Sequence, residues 1–367
     1  MHKTSAWPLS LIYAGLIVYA SLYPFGEWRD QGIFPMAYLW QPWPKYWTGF
    51  DIGVNILGYF PLGFFLALAA LRTGQETRVV LAATLAAALV SLILETVQSY
   101  LPSRVPSNID SGFNTLGSWL GAGAATLLEK GGALDRWSRI RERWFVPGAR
   151  GALVLLAMWP FALLFPTAVP LGLGQVLERL ENSLAERLQD TPFLEWLPVR
   201  AIEFQPIIPS AEMLCVLLGA LIPCLLGFCI IRGGRRRGLF VVAVMASGIG
   251  VTSLSAALSF GPFHAWTWLG LPAKAGLVLA LVAACSLLFA PRRVIAALAV
   301  LCLGVYLSVL NQAAIGPYFE QTMHAWEQGR FIRFNGVTQW LAWLWPYATL
   351  VYVLVLIGRR EPRANDT

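Results

Sequence analysis

Ten apolar stretches recur along this sequence, near residues 6–23, 52–71, 79–98, 110–128, 151–168, 211–231, 239–259, 269–290, 294–311 and 340–358. Each is close to the roughly 20 residues that an α-helix needs to cross about 30 Å of hydrocarbon. Lipid offers no partner to an open backbone, so a chain with this pattern folds as helices that satisfy their own hydrogen bonds. The expected fold is all-α: a polytopic transmembrane helical bundle of about ten spans. Hydrophobic residues make up 57% of the 367 and charged residues only 13%. Mean hydropathy is +0.60. Soluble domains carry about a quarter charged residues, which excludes an ordinary globular enzyme.

The formal net charge of +7 does not point to nucleic acid, because the basic residues are divided among the gaps between apolar stretches instead of forming one patch. Lys and Arg near helix ends resist translocation. With the amino terminus inside, eighteen of them fall on the cytoplasmic side, at Lys3, Arg72 and Arg78, Lys130 to Arg150, Arg232 to Arg237, Arg292 and Arg293, and Arg359 to Arg363, against eight outside. Lys274 is left within a span. The expected topology keeps both termini in the cytoplasm. A first transmembrane domain, residues 1–130, is followed by a basic cytoplasmic loop, 131–150, and a second region, 151–367, with outer loops at 169–210 and 312–339. Small residues at Val18 and Ala20 would also suit signal cleavage after Ala20, but Lys3 is the only charge ahead of the first stretch and a retained helix is expected.

The five cysteines, Cys215, Cys224, Cys229, Cys285 and Cys302, lie inside apolar stretches without metal-ligand spacing, and the three histidines form no HExxH or HxxxH pair. No metal or cofactor is expected, and no GxSxG, Walker or dinucleotide motif is present. The outer loops have the distinctive composition. Trp28, Trp40, Trp43 and Trp47 crowd residues 24–50, and Trp favours the headgroup level, so this loop is expected against the outer leaflet. Val176, Leu177, Leu180, Leu184 and Leu188 form a helical apolar stripe within 174–190. That amphipathic helix fits equally a membrane surface or the top of the bundle.

Ionisable groups within spans are costly and face protein or water. Here they cluster in stretches two to four. Asp51 and Asn55 open the second, Glu95 and Gln98 close the third, and Asp110 and Asn114 open the fourth. Each pair shares a helix face, and the topology brings all three to the outer boundary. Small residues follow at the same spacing: Gly58 after Asn55; Ser91, Ala88 and Thr84 before Glu95; Gly117 and Gly121 after Asn114. Small residues mark close helix approach, so the polar faces are expected to meet. Arg104 sits in the Pro-punctuated loop SYLPSRVPSNID, and its planar fork suits carboxylate or phosphate. Two readings are open: Arg104 locks helices by pairing with Glu95 or Asp110, or the cluster is an outward-facing ligand pocket.

The runs DIGVNILGYFPLGFFLAL from Asp51 and SLILETVQSYLPSRVPSNIDSGFNTLGSWLGAG from Ser91, preceded by SLYPF from Ser21, resemble the VanZ-like family of bacterial membrane proteins over roughly residues 10–130. The family pattern maps onto Asp51, Asn55, Pro61, Gly63, Glu95, Gln98, Arg104, Asp110 and Asn114. The resemblance implies a multi-pass protein of the bacterial cytoplasmic (inner) membrane with a role in the cell envelope and in glycopeptide resistance, teicoplanin susceptibility above all. It does not extend to the second half of the chain, where Asn335 and Gln339 repeat an i, i+4 polar pair.

The leading expectation is a polar pocket, open to the outer leaflet, that binds an envelope lipid or a lipid-linked cell-wall precursor. Arg104, Gln98, Asn114, Asn55 and Asp51 are its candidate ligand-binding residues. Glu95 and Asp110 are the candidate catalytic pair if the ligand is also modified; partial desolvation makes Glu95 the better proton acceptor. A proton-coupled carrier or flippase is the alternative, although it calls for polar residues deep in several spans. A non-catalytic scaffold is the third reading.

Overall fold

The computed structural model describes residues 6–23, 25–43, 49–75, 77–189, 191–193, 208–312 and 332–358. Its α-helices are α1 (Ala6–Leu22), α2 (Gly49–Arg72), α3 (Val79–Gln98), α4 (Asn108–Lys130), α5 (Ala133–Trp144), α6 (Arg150–Ala162), α7 (Leu177–Leu188), α8 (Pro209–Ile230), α9 (Gly234–Phe260), α10 (Leu271–Ser286), α11 (Arg292–Leu310) and α12 (Ile332–Gly358). Among the described residues the only β pairing is an isolated bridge between Phe145 and Ile231. The fold is all-α, and each expected span overlaps a helix.

Length and composition divide the ten. α2, α3, α8, α9, α11 and α12 are long and apolar enough to cross a membrane. α1, α6 and α10 are apolar but only 17, 13 and 16 residues long. At 1.5 Å per residue, α6 extends only about 20 Å. α4 is long but rich in Asn, Ser, Thr and Gly, because its buried side is polar.

The chain forms two compact units, Met1–Ile140 and Arg141–Thr367. In the first, α2 packs mainly on α4, α3 lies against both, and α1 against α2 and α3. The α2–α4 approach is backbone to backbone. A Cβ on Gly121 would stand 1.9 Å from the Phe60 carbonyl oxygen, one on Gly117 2.3 Å from that of Ile56, and one on Gly63 2.0 Å from that of Ser118. Gly58, expected in this stripe, is not part of it: a Cβ there meets nothing within 4 Å, and its carbonyl instead accepts from the Tyr13 hydroxyl at 3.0 Å.

The Trp-rich segment folds back over the α3–α4 turn. The Arg29 amide donates to Tyr100 O at 3.0 Å, Gln31 Nε2 to Ser99 O at 2.7 Å, and Asn108 Nδ2 to Gln41 O at 2.8 Å. Tyr38 is buried, with its hydroxyl on Leu92 O at 3.3 Å. Trp40 and Trp43 are both 75% exposed; Trp47 lies outside the described residues.

The second unit is organised around α8, which is buried almost continuously from Cys215 to Ile230 and is flanked by α10, α11, α6 and α9, with α12 against α6 and α11. α6 corrects the expected span 151–168. It stops at Ala162, because Pro166 and Pro170 cannot continue a helix and push the residues before them to extended backbone. The chain instead runs as irregular backbone through the core, burying Phe165, Val169, Leu171 and Leu173. Such backbone needs partners. The Tyr306 hydroxyl donates to Leu171 O at 2.6 Å and accepts from Leu173 N. Asn311 Nδ2 and the Tyr347 hydroxyl both reach Gly174 O, at 3.2 and 3.1 Å, and Ser255 Oγ donates to Leu164 O at 2.8 Å.

The connection expected as a basic loop at 131–150 contains α5. Within the outer region expected at 169–210, α7 leaves Leu180 and Leu184 of its apolar stripe exposed.

Candidate functional site

α2, α3 and α4 bring the polar residues of the first unit to one end. Asn55 Nδ2 donates to Asp110 Oδ1 at 2.8 Å, linking α2 to α4. Asn114 Nδ2 donates to Ser91 Oγ at 2.9 Å, linking α4 to α3. Ser107 is the N-cap of α4, its hydroxyl accepting from Asp110 N. Its own backbone amide donates to Glu95 Oε2 at 2.9 Å. One carboxylate of α3 thus holds the start of α4 in register.

The other two polar residues reach the end of α1. Gln98 Nε2 donates to Ser21 O at 3.0 Å and Arg104 Nη2 to Tyr23 O at 2.6 Å. The last carbonyls of a helix have no partner within it and carry the negative end of its dipole, so a guanidinium is well placed there. The run SLYPF supplies these acceptors, a role that composition and spacing did not disclose. Tyr59, one helical turn after Asn55, is also buried and neighbours Ser91 and Glu95.

Burial separates the candidates. Glu95, Gln98, Arg104 and Asn114 are 6%, 6%, 8% and 4% exposed, whereas Asn55 and Asp110 are half-buried. The side chain of Asp51 lies outside those described, as does that of Asn335 in the second unit. Asn114 leaves its Oδ1 buried and without a donor. A buried, unmatched acceptor costs on the order of 1–3 kcal/mol, and no described residue offsets that cost here. Among the described residues, no three His, Cys, Asp or Glu side chains gather where they could hold a metal ion.

Chemically, the site offers a buried carboxylate, a half-buried carboxylate tied to an amide, a buried guanidinium and a buried, unmatched amide oxygen. That set can grip a polar headgroup carrying both anionic and donating groups.

Residues 5–129, the N-terminal third of the chain, match the family model described as VanZ/LLP1. The matched segment takes in α1 to α4 and every candidate site residue. No curated protein and no solved structure matches the chain significantly.

Proposed function

From the premise of a VanZ-like N-terminal third in a helical membrane protein, we propose that α1 to α4 form a headgroup site. It takes an envelope lipid or a lipid-linked cell-wall precursor at the outer leaflet. The observation that carries this reading is Asn114: a buried side chain whose amide nitrogen is used within the bundle and whose oxygen is not, standing among Ser91, Tyr59 and Glu95. Arg104 and Gln98 fix the end of α1 against this cluster and supply its positive and donating wall. Glu95 is the proton acceptor if the bound headgroup is also modified, with Asp110 as its partner carboxylate. Glycopeptide susceptibility is the phenotype that the resemblance attaches to such a site.

The test compares wild type, Glu95→Gln, Arg104→Ala and Asn114→Leu in cells at matched membrane levels, by whole-lipid profiling and teicoplanin susceptibility. A functional site predicts that the variants lose the wild-type lipid profile or susceptibility while retaining a monodisperse, thermally intact fold. Wild-type behaviour from all three folded variants refutes it. A new lipid species present only with intact Glu95 establishes chemistry in addition to binding.

The carrier reading is favoured by a separate feature, the broken helix at α6 and the buried irregular backbone up to Gly174, since unwound segments in membrane proteins line cavities or are enclosed by protein. Lipid exchange across proteoliposomes no faster than in protein-free vesicles eliminates it.

A further inference from the structure

The second unit places two helix N-termini side by side and fills both with arginine. α9 starts at Gly234 and carries Arg235, Arg236 and Arg237 in its first turn; α11 starts at Arg292 and continues with Arg293. Neither has an acidic residue in its first turn or a side-chain cap. The two starts touch: a Cβ on Gly234 would lie 2.4 Å from the Phe289 ring, just ahead of α11. Arg237 spans them, its Nη1 donating to Leu288 O and Ala290 O at 3.0 and 2.9 Å and its Nη2 to Phe228 O at 2.8 Å. A cation at a helix N-terminus opposes the macrodipole, so this arrangement concentrates positive potential from both side chains and backbone.

Little within the protein offsets it. Arg235, Arg236, Arg237 and Arg292 form no ion pair among the described residues. Arg236 rests on the Trp144 ring and the Arg143 carbonyl. Arg237 is 6% exposed, yet its Nε is buried with no acceptor. The distribution of positive charge across a membrane explains arginines near a helix end; it does not explain one drawn inside with a donor left over. Phe289, 84% exposed between the two arginine groups, adds an apolar surface next to the positive one. Helix N-termini, forked donors and an adjoining apolar ring together match a phosphate diester attached to acyl chains.

We propose that the starts of α9 and α11, with Arg235, Arg292 and Arg293 around the buried Arg237, bind the phosphate of an anionic phospholipid on the side that the charge distribution assigns to the cytoplasm. Arg237 is a positioning residue that holds the two helix starts together; the exposed arginines make the main contacts with the headgroup. The site belongs to the second unit and stands apart from the Asn114 cluster.

The test uses the full chain purified in neutral detergent and exchanged with phosphatidylglycerol or phosphatidylcholine. Native mass spectrometry reads the retained lipid and a thermal melt reads the stabilisation that each lipid confers. The variant is Arg235→Gln with Arg292→Gln, chosen because both side chains are exposed and neither hydrogen-bonds or ion-pairs with any described residue. The control, Arg136→Gln with Arg139→Gln on α5, removes the same charge elsewhere. Wild type and control are expected to retain phosphatidylglycerol over phosphatidylcholine, and the Arg235/Arg292 variant to lose about thirtyfold in that retention, from about fivefold per arginine. Equal retention by the variant, or equal loss in the control, overturns the proposal. Displacement of the lipid by inorganic phosphate alone assigns the site to a free anion and overturns it as well.

Discussion

Replacing Gly121 with Ala tests how the first unit holds its polar residues together. The added Cβ would stand 1.9 Å from Phe60 O and 3.0 Å from Phe64 N, where ordinary contact starts at 3.4 Å. The obstruction is main chain on both sides, so no rotamer change relieves it and α2 and α4 must separate by about 1.5 Å. Overpacking of this kind costs about 1–3 kcal/mol, and the separation also stretches the 2.8 Å Asn55–Asp110 bond, worth about 0.6 kcal/mol between membrane helices. Removing a helical glycine returns up to about 1 kcal/mol. The net expectation is a loss of about 1–3 kcal/mol for Gly121→Ala, and slightly less for Gly117→Ala, whose Cβ would stand 2.3 Å from Ile56 O. Gly58→Ala and Gly123→Ala meet nothing within 4 Å and should be neutral or stabilising by up to about 1 kcal/mol. Reversible denaturation in mixed detergent micelles, followed by tryptophan fluorescence, measures all four. If the two pairs of variants shift alike, the backbone contact between α2 and α4 is not what organises this unit.

Tyr306→Phe removes the shared partner of Leu171 O and Leu173 N and leaves them only their mutual bond at 3.2 Å, so it should destabilise the second unit by about 1–3 kcal/mol, read in the same denaturation assay; a loss below about 0.5 kcal/mol refutes the assignment. Arg104→Lys keeps the charge but not the fork, so it should lower the melting temperature of detergent-solubilised protein less than Arg104→Ala does, and an equal fall shows that charge does not matter at Tyr23 O. Orientation is tested in intact cells in a background lacking Cys285. A membrane-impermeant maleimide should label Ser103→Cys in the α3–α4 turn and spare Arg139→Cys on α5; the reverse pattern inverts the topology.

The helices were legible because burial in lipid demands apolar residues over a fixed length; α3 begins and ends where its apolar stretch does. The same signal misled at α6. Leu163, Phe165, Val169 and Leu171 are as apolar as a span, but they fill the second unit's core as irregular backbone, and the legible warning was the pair Pro166 and Pro170. In the site, the pairing of Asn55 with Asp110 follows from i, i+4 faces turned towards each other. The packed face of α2 differs from the expected stripe: it runs from Asn55 through Tyr59 to Gly63 at spacings of four, whereas Gly58, three residues on, turns towards α1. The acceptors of Gln98 and Arg104 could not be read at all, because they are main-chain carbonyls about 80 residues away, and no side-chain pattern records which helix end a donor will meet.

The two units handle buried polarity differently, and the magnitudes separate structure from function. In the second, Tyr306, Asn311 and Tyr347 serve backbone groups that would otherwise cost several kcal/mol each in an apolar setting, so these side chains need no further explanation. In the first, α2 to α4 have intact backbones, and glycine packing brings the helices together without polar help. Hydrogen bonds between membrane helices average only about 0.6 kcal/mol, which is what Asn55–Asp110 and Asn114–Ser91 can be expected to contribute. Burying Glu95 and Arg104, by contrast, costs several kcal/mol per ion before their partners offset it. Stability alone is therefore poorly served by this cluster, and an apolar set of similar volume would hold the same helices. The headgroup site proposed above would account for both its composition and its place: a group bound at the Asn114 oxygen would match a buried acceptor that the described residues leave unpaired, beside the carboxylate whose burial the fold has already had to offset.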